Sequence, residues 1–238
     1  IKELKTIYIN GIGVGMPGFI DTKGKIQLAP NIPQFNNFNL EAALEKRLRH
    51  NVYMENDASC FVLAEQYNGS AKNVKNVIGL TLGTGVGGGA FVDGNLLQGK
   101  NGGAAHFGQM IVSQNRDLEW WCGGKSMEKR YKSKTGKNRR GKEIFRAKDR
   151  HAKKIVKDFY HILGIALSNL INSFNPEIIV LGGSISDEVN IKRLRKETDT
   201  HGQKPLTKEA TIVKHKLGAS SGTIGAARLP ITKVTLHP

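Results

Sequence analysis

A chain of 238 residues with 39% hydrophobic and 24% charged residues has the make-up of a globular protein with one generous core or two modest ones. No apolar run approaches the roughly 18 residues of a membrane helix, so no membrane is expected as a partner. The net charge of +16 raises nucleic acid as a partner, but fourteen Lys or Arg fall between Lys129 and Lys157 against two acids, Glu143 and Asp149. A charge run with helical signals reads as a solvated face, and no nucleic-acid reading motif accompanies it, so nucleic acid is not expected. Cys60 and Cys122 lie far apart without a CxxC pair and no secretory signal precedes them, which predicts a reducing, cytoplasmic setting.

Taken in order, Thr6 to Val14 reads as an apolar, β-branched strand ending in the turn residues Gly15, Pro17 and Gly18. Leu40 to Asn51 reads as a helix with Asn39 as its N-cap. Val52 to Met54 is a short strand, and a second helix starts at Asp57 and stops at Gly69. Strands follow at Val77–Leu82 and Gly89–Val92, with Asp93-Gly94 as a hairpin turn before a third strand at Leu96 and Leu97. After the basic segment, apolar residues from Ile155 to Phe174 recur at three- and four-residue spacing, the signature of a core helix. Asn175-Pro176 stops it, and "EIIVLGGSIS" is a buried strand running into a glycine turn, the strand-after-helix order of an α/β sheet. A last small-residue helix begins near Gly218 and is expected to close at Pro230.

The stretch "LTLGTGVGGGAFVDG", Leu80 to Gly94, can be scored as a dinucleotide fingerprint through Gly83, Gly85 and Gly88. Such a fingerprint needs a helix directly after its glycines, and a strand and hairpin follow here instead. What remains is a strand-turn-strand whose Gly83, Gly85, Gly87 and Gly88 let backbone N–H groups approach an anion, with the Thr84 hydroxyl as a further donor; a ligand-free glycine turn is the plain alternative. In "ENDA", Asp57 stands where a strand meets a helix, the place where an open sheet delivers catalytic carboxylates. It is either the base that takes a hydroxyl proton during phosphoryl transfer or simply a helix cap. "VLGGS", Val180 to Ser184, is a second glycine turn suited to a base or ribose.

The order and spacing of "GIGVGMPGFID", "LAPNIP", "VYMENDA", "LTLGTGVGGG", "GGAAHFGQM", "FNPEIIVLGGSIS" and "GTIGAA" resemble the ROK family, sugar kinases and sugar-responsive repressors within the actin-like ATPase (ribonuclease H-like) fold. The resemblance implies a two-lobed α/β protein, residues 1–75 with the C-terminal helix near 222–238 forming the smaller lobe and 76–221 the larger. It implies Asp57 as catalytic base. The Gly18 backbone, Asn31 and Asn56 would hold a sugar; Gly83, Thr84, Gly85, Gly87, Gly182 and Gly183 would face ATP with its Mg²⁺. The family's partners also make a homodimer the expected assembly.

Three departures qualify the expectation. The family's Asp-x-Gly-Gly-Thr phosphate loop, which lies some tens of residues before the "PGFID" turn, has no counterpart in the sixteen residues before Pro17, so the N-terminal lobe is expected to be truncated and phosphoryl transfer by this stretch alone impaired. Where family kinases commonly read Gly-Glu-x-Gly-His, this chain has His106 at the Glu position and Gln109 at the His position. Both can hydrogen-bond a sugar hydroxyl, though His106 could equally be a packing residue and Gln109 is a poor zinc ligand. The family's cysteine-rich zinc loop is missing, and Cys122 alone cannot make a tetrahedral site, so zinc is not expected as a cofactor. Setting "LEWWCGGKSMEKR" on the Leu-Glu and helix after that loop makes Glu119 the sugar-contacting carboxylate; Glu128 is the competing choice and otherwise a helix-surface acid. The expected activity is transfer of the ATP γ-phosphoryl to a hexose or N-acetylhexosamine hydroxyl. The alternative is a sugar-sensing regulator whose DNA-binding module lies outside the chain.

Overall fold

The computed structural model of the chain describes residues 10–236, residues 233–236 by backbone alone; the first part of the expected Thr6–Val14 strand lies outside the described residues. β1 (Ile12–Met16) leads through a hairpin of β2 (Phe19–Ile20) and β3 (Ile26–Leu28) to α1 (Leu40–Leu48) and then β4 (Val52–Asn56). β1 and β4 pair in parallel. Alternate residues Ile12, Val14 and Met16 on one strand and Val52 and Met54 on the other meet Leu40 and Leu44 of α1 in one apolar cluster, the period-two pattern of a half-buried strand. Asn39 caps α1 as expected, its Oδ1 accepting from the Ala42 N–H at 2.9 Å. The helix ends three residues earlier than Asn51, because Arg49 turns into the left-handed region at φ 56° and the chain must reverse to enter β4.

From the end of β4 the backbone passes directly into α2 (Asp57–Asn68), stopped by Gly69. β5 (Val77–Leu82), β6 (Val86–Val92) and β7 (Asn95–Leu96) follow. β6 begins three residues before Gly89, because Val86 to Gly88 pair in register with Leu82 to Leu80. Asp93 and Gly94 hold φ of 50° and 81°, the geometry of a two-residue hairpin turn. The short β8 (Ile111–Ser113) and β9 (Arg116–Asp117) precede α3 (Leu118–Cys122), α4 (Gly124–Thr135), α5 (Gly141–Arg146) and the 25-residue α6 (Arg150–Phe174). The basic segment thus forms α4, α5 and the start of α6. β10 (Ile178–Gly182), α7 (Ile191–His201), α8 (Lys204–Glu209), β11 (Thr211–Lys214) and α9 (Ser221–Leu236) complete the chain. The larger sheet has the order β11-β10-β5-β6-β7, with β5, β10 and β11 parallel and β6 and β7 antiparallel. Phe159, Leu163, Leu167, Leu170 and Ile171 of α6 are buried in its core. Among the described residues no helix is long and apolar enough to cross a membrane.

The glycines of the sheet do more than turn the chain. Gly87 and Gly89 point to one face of β6, where a side chain would strike Ala58 and Val62 of α2; Gly79 and Gly182 meet Val62 and Phe61 of the same helix. Gly88, on the opposite face, lies against Ala105 and Phe107. Removing Cβ atoms lets backbones approach closely, so the glycine run is a seat for α2 on one side and for residues 105–107 on the other.

α9 lies across α2 and β1. Side chains on Gly13 and Gly225 would collide with the carbonyls of Ala226 and Cys60. Pro230 does not close the helix, which runs on to Leu236. Proline cannot donate to the carbonyl four residues back, and that Ala226 carbonyl faces the bare Gly13 of β1 instead. At the far end of α2 the Glu65 carboxylate, fully buried, accepts from the backbone N–H groups of Ser70, Lys216 and Leu217 and from the Ser221 hydroxyl, at 2.8 to 3.2 Å.

Candidate active site

A cavity of about 780 Å³ opens at the C-terminal ends of β1, β4 and β5. Its wall brings together Gly18, Asn31, Asn56, Asp57, Gly83, Thr84, Gly85, Gly87, His106, Gln109 and Glu119, eleven of the thirteen positions singled out in the sequence. Gly182 and Gly183 are not on that wall. Gly182 is held under the Phe61 ring, while Gly183, at φ 81°, turns the chain beside Leu82 and accepts from the Ser186 hydroxyl at 2.7 Å. Phe19, Thr81, Asn101 and Gly103 line the cavity without having been anticipated. For Thr81 the signal was its alternation with buried Leu80 and Leu82, which turns it to the open face. For Asn101 and Gly103 it was the "KNGG" turn just before the His106 segment.

Asp57 is the first residue of α2 rather than its cap. The capping is done by Asn56, whose Oδ1 accepts from the N–H groups of Ala58 and Ser59 at 2.9 and 3.4 Å and whose Nδ2 donates to the Gly18 carbonyl at 2.8 Å. Asn56 therefore ties the "PGF" turn to the helix and keeps one amide hydrogen for a ligand. Gly18 holds φ 120°, and a side chain there would strike the Leu28 carbonyl. The Asp57 carboxylate faces the open cavity on one side and protein on the others. Burial raises its pKa above the ordinary aspartate range, and the Ala58 N–H, 2.9 Å from Oδ1, pulls the other way.

The turn between β5 and β6 is pinned from below. The first N–H groups of α4, those of Gly124 and Lys125, donate to the carbonyls of Gly83 and Thr84 at 2.8 and 2.9 Å, and the Ile185 N–H donates to Leu82. With its carbonyls held this way, the turn leaves the N–H groups of Thr84 and Gly85 without partners among the described residues, and a Cβ on Gly83 would meet open space. Two free N–H groups beside a bare glycine form an anion-accepting concavity. The Gly87 N–H is already given to Thr81 Oγ1 at 3.2 Å, so Gly87 serves the α2 seat.

Glu119 enters the cavity from α3, and its Oε2 accepts from the Val86 N–H at 2.9 Å. Asp117 caps α3 through the Trp120 N–H at 2.6 Å, and Arg130 lies over both indoles while donating to the Trp121 carbonyl at 2.6 Å. This stack fixes the helix that presents Glu119. Glu128 points away from the cavity and is more than a surface acid: its Oε1 accepts from the Gly141 N–H at the start of α5, at 2.9 Å.

His106 and Gln109 bracket one turn of 3-10 helix, Phe107–Gln109, with the His106 ring edge-on to Phe19 at 6.0 Å. The residue before His106, in the place of the motif's first glycine, is Ala105 at φ 62°. An alanine held left-handed is strained, so Ala105→Gly is expected to stabilise the protein by about 1 kcal/mol, read as a higher urea midpoint with an unchanged slope. The residues do not fit the family's zinc loop. Cys122 is fully buried against the Phe159 carbonyl, 3.8 Å from Sγ, and burial pushes its thiol pKa far up, so the thiolate a metal needs is disfavoured.

The chain is similar over most of its length to known sugar kinases. N-acetyl-D-glucosamine kinase of Histophilus somni is 32% identical over 246 residues, spanning 93% of this chain and 80% of that protein. Glucokinase of Thermotoga maritima is 31% identical over 92% of this chain and 78% of its own length. The crystal structure of a ROK family glucokinase from Streptomyces griseus in complex with glucose and AMPPNP matches with a TM-score of 0.80 at 26% identity, over 94% of this chain and 82% of that one. With the ROK family model matching residues 2–233 as well, the chain belongs to the ROK family and has its actin-like ATPase fold.

Proposed function

We propose that the protein is a glucokinase-like, ATP-dependent sugar kinase that phosphorylates a hydroxyl of a hexose or N-acetylhexosamine. The observation that carries this reading is the shared cavity, with the Asp57 carboxylate on one wall and the unpaired N–H groups of Thr84 and Gly85 on another. Curated relatives of both sugar classes at about the same identity support it. Asp57 accepts the proton of the attacking hydroxyl, and the burial that raises its pKa makes it a stronger base than an exposed aspartate. Asn31, Asn56, His106, Gln109 and Glu119 hydrogen-bond the sugar against the Gly18 turn. Gly83, Thr84 and Gly85 hold the phosphates, while Gly87 and Gly182 seat α2 and Gly183 turns the chain beside Leu82. Mg²⁺ brought with the triphosphate would supply charge neutralisation. Residues 1–75 with the last helix serve as the smaller lobe and 76–221 as the larger. The reading includes a cytoplasmic homodimer, and Cys60 and Cys122, both buried thiols, suit a reducing setting.

An ADP-release assay over hexoses, amino sugars and N-acetyl sugars tests the reading, with ATP-dependent turnover expected on glucose or N-acetylglucosamine. Sugar binding without turnover on any of them would overturn it in favour of a sensor. Gly83→Ala separates binding from folding: its methyl enters open space, so thermal stability is expected to hold, while the KM for ATP rises roughly tenfold, about 1.4 kcal/mol of lost phosphate contact.

A further inference from the structure

We propose that His161, Glu197 and His201 form a zinc-binding clamp between α6 and α7, on the outer face of the fold. One donor atom from each lies within 4.8 Å of those of the other two. His161 Nδ1 is 3.8 Å from Glu197 Oε2, and the two imidazole rings are 5.0 Å apart at 68°. None of the three lines the cavity.

The arrangement follows from how the helices meet. Glu197 and His201 are four residues apart on α7 and so share one face. Gly164 of α6 lies so close to Glu197 that a side chain there would crowd its Cβ. One turn before Gly164, His161 therefore stands across a very short gap from the α7 pair. Donors around a zinc ion at about 2.0–2.1 Å stand roughly 3.3 Å from one another in a tetrahedron. Rotations of the exposed His161 and His201 side chains toward the half-buried Glu197 close the remaining distance.

Two imidazoles and a carboxylate, with a position left for water, are the donor set of an open zinc site. Mg²⁺ and Ca²⁺ prefer all-oxygen shells and are not expected to compete. His201 is the final residue of α7, where the partial negative charge of the helix C-terminus favours a cation. Bound there, zinc ties the long core helix to the helix that covers it, independently of the sugar chemistry.

Tag-free protein stripped with chelator is titrated with Co²⁺, followed by visible absorption and equilibrium dialysis. One Co²⁺ per chain is expected, displaced by Zn²⁺ but not by Mg²⁺, and Zn²⁺ is expected to raise Tm. His161→Asn, His201→Asn and Glu197→Gln are each expected to weaken binding by at least about tenfold without changing the Tm of metal-free protein, whereas His151→Asn has no effect. Binding below half an equivalent, or binding that the three substitutions leave unchanged, overturns the clamp.

Discussion

Asp57→Asn is expected to lower kcat by roughly 10² to 10⁴ while sugar binding persists, and at the same time to raise thermal stability near neutral pH. The first effect follows from removing the one carboxylate that, among the described residues, α2 presents to the cavity to take the hydroxyl proton. The second follows from the raised pKa. Between the unfolded and folded pKa values the folded chain holds more protons, so stability falls as pH rises through that window and the deficit persists above it. Asparagine carries no such deficit. Activity has the opposite dependence: kcat/KM falls as pH falls through the raised Asp57 pKa, giving an acid limb above the ordinary carboxylate range. ADP release across pH and a thermal melt at neutral pH check both arms. An unchanged kcat would remove Asp57 from the mechanism.

Glu65→Ala is expected to cost about 3–5 kcal/mol of stability. Four donors converge on this carboxylate in a fully buried position, and truncation leaves them unsatisfied where water does not reach. Glu65→Gln is expected to lose less, since one oxygen remains to accept while the new amide faces N–H groups. Denaturant unfolding of both variants measures the order; equal stability of Glu65→Ala and the parent would contradict the account.

The elements with strong local signals were legible in the sequence: α1 with its Asn39 cap, α2 with its Gly69 stop, the Asp93-Gly94 hairpin and the apolar stripe of α6. Boundaries set by partners were not. β6 extends back to Val86 because Leu80 and Leu82 pair with it, and α9 passes Pro230 because β1 accommodates the freed carbonyl; neither fact is local. At the site, residue types and context singled out the glycine turn and Asp57, while Gly18, Asn31, Asn56, His106, Gln109 and Glu119 came from the resemblance to the family; together eleven positions fall on one wall. The division of labour among them was hidden. That Asn56 takes the capping role from Asp57, that Gly87 and Gly182 seat α2, and that Glu128 caps α5 are properties of neighbours distant in sequence.

The Glu65 junction also bears on the order in which the protein is made. Three of the groups that satisfy this carboxylate, the N–H groups of Lys216 and Leu217 and the Ser221 hydroxyl, lie 151 to 156 residues further along the chain, and the Gly225 face of α9 that packs on Cys60 comes later still. During synthesis the helix bearing Asp57, and the sheet that seats it, emerge long before these groups do. Closing a loop of that length is slow compared with local helix and hairpin formation. The far half of α2, from Cys60 to Glu65, is therefore expected to gain its full set of contacts only once residues 216–226 have been made, whereas the ties of the Asp57 end to Gly18, Ala58 and Ser59 are available from the start.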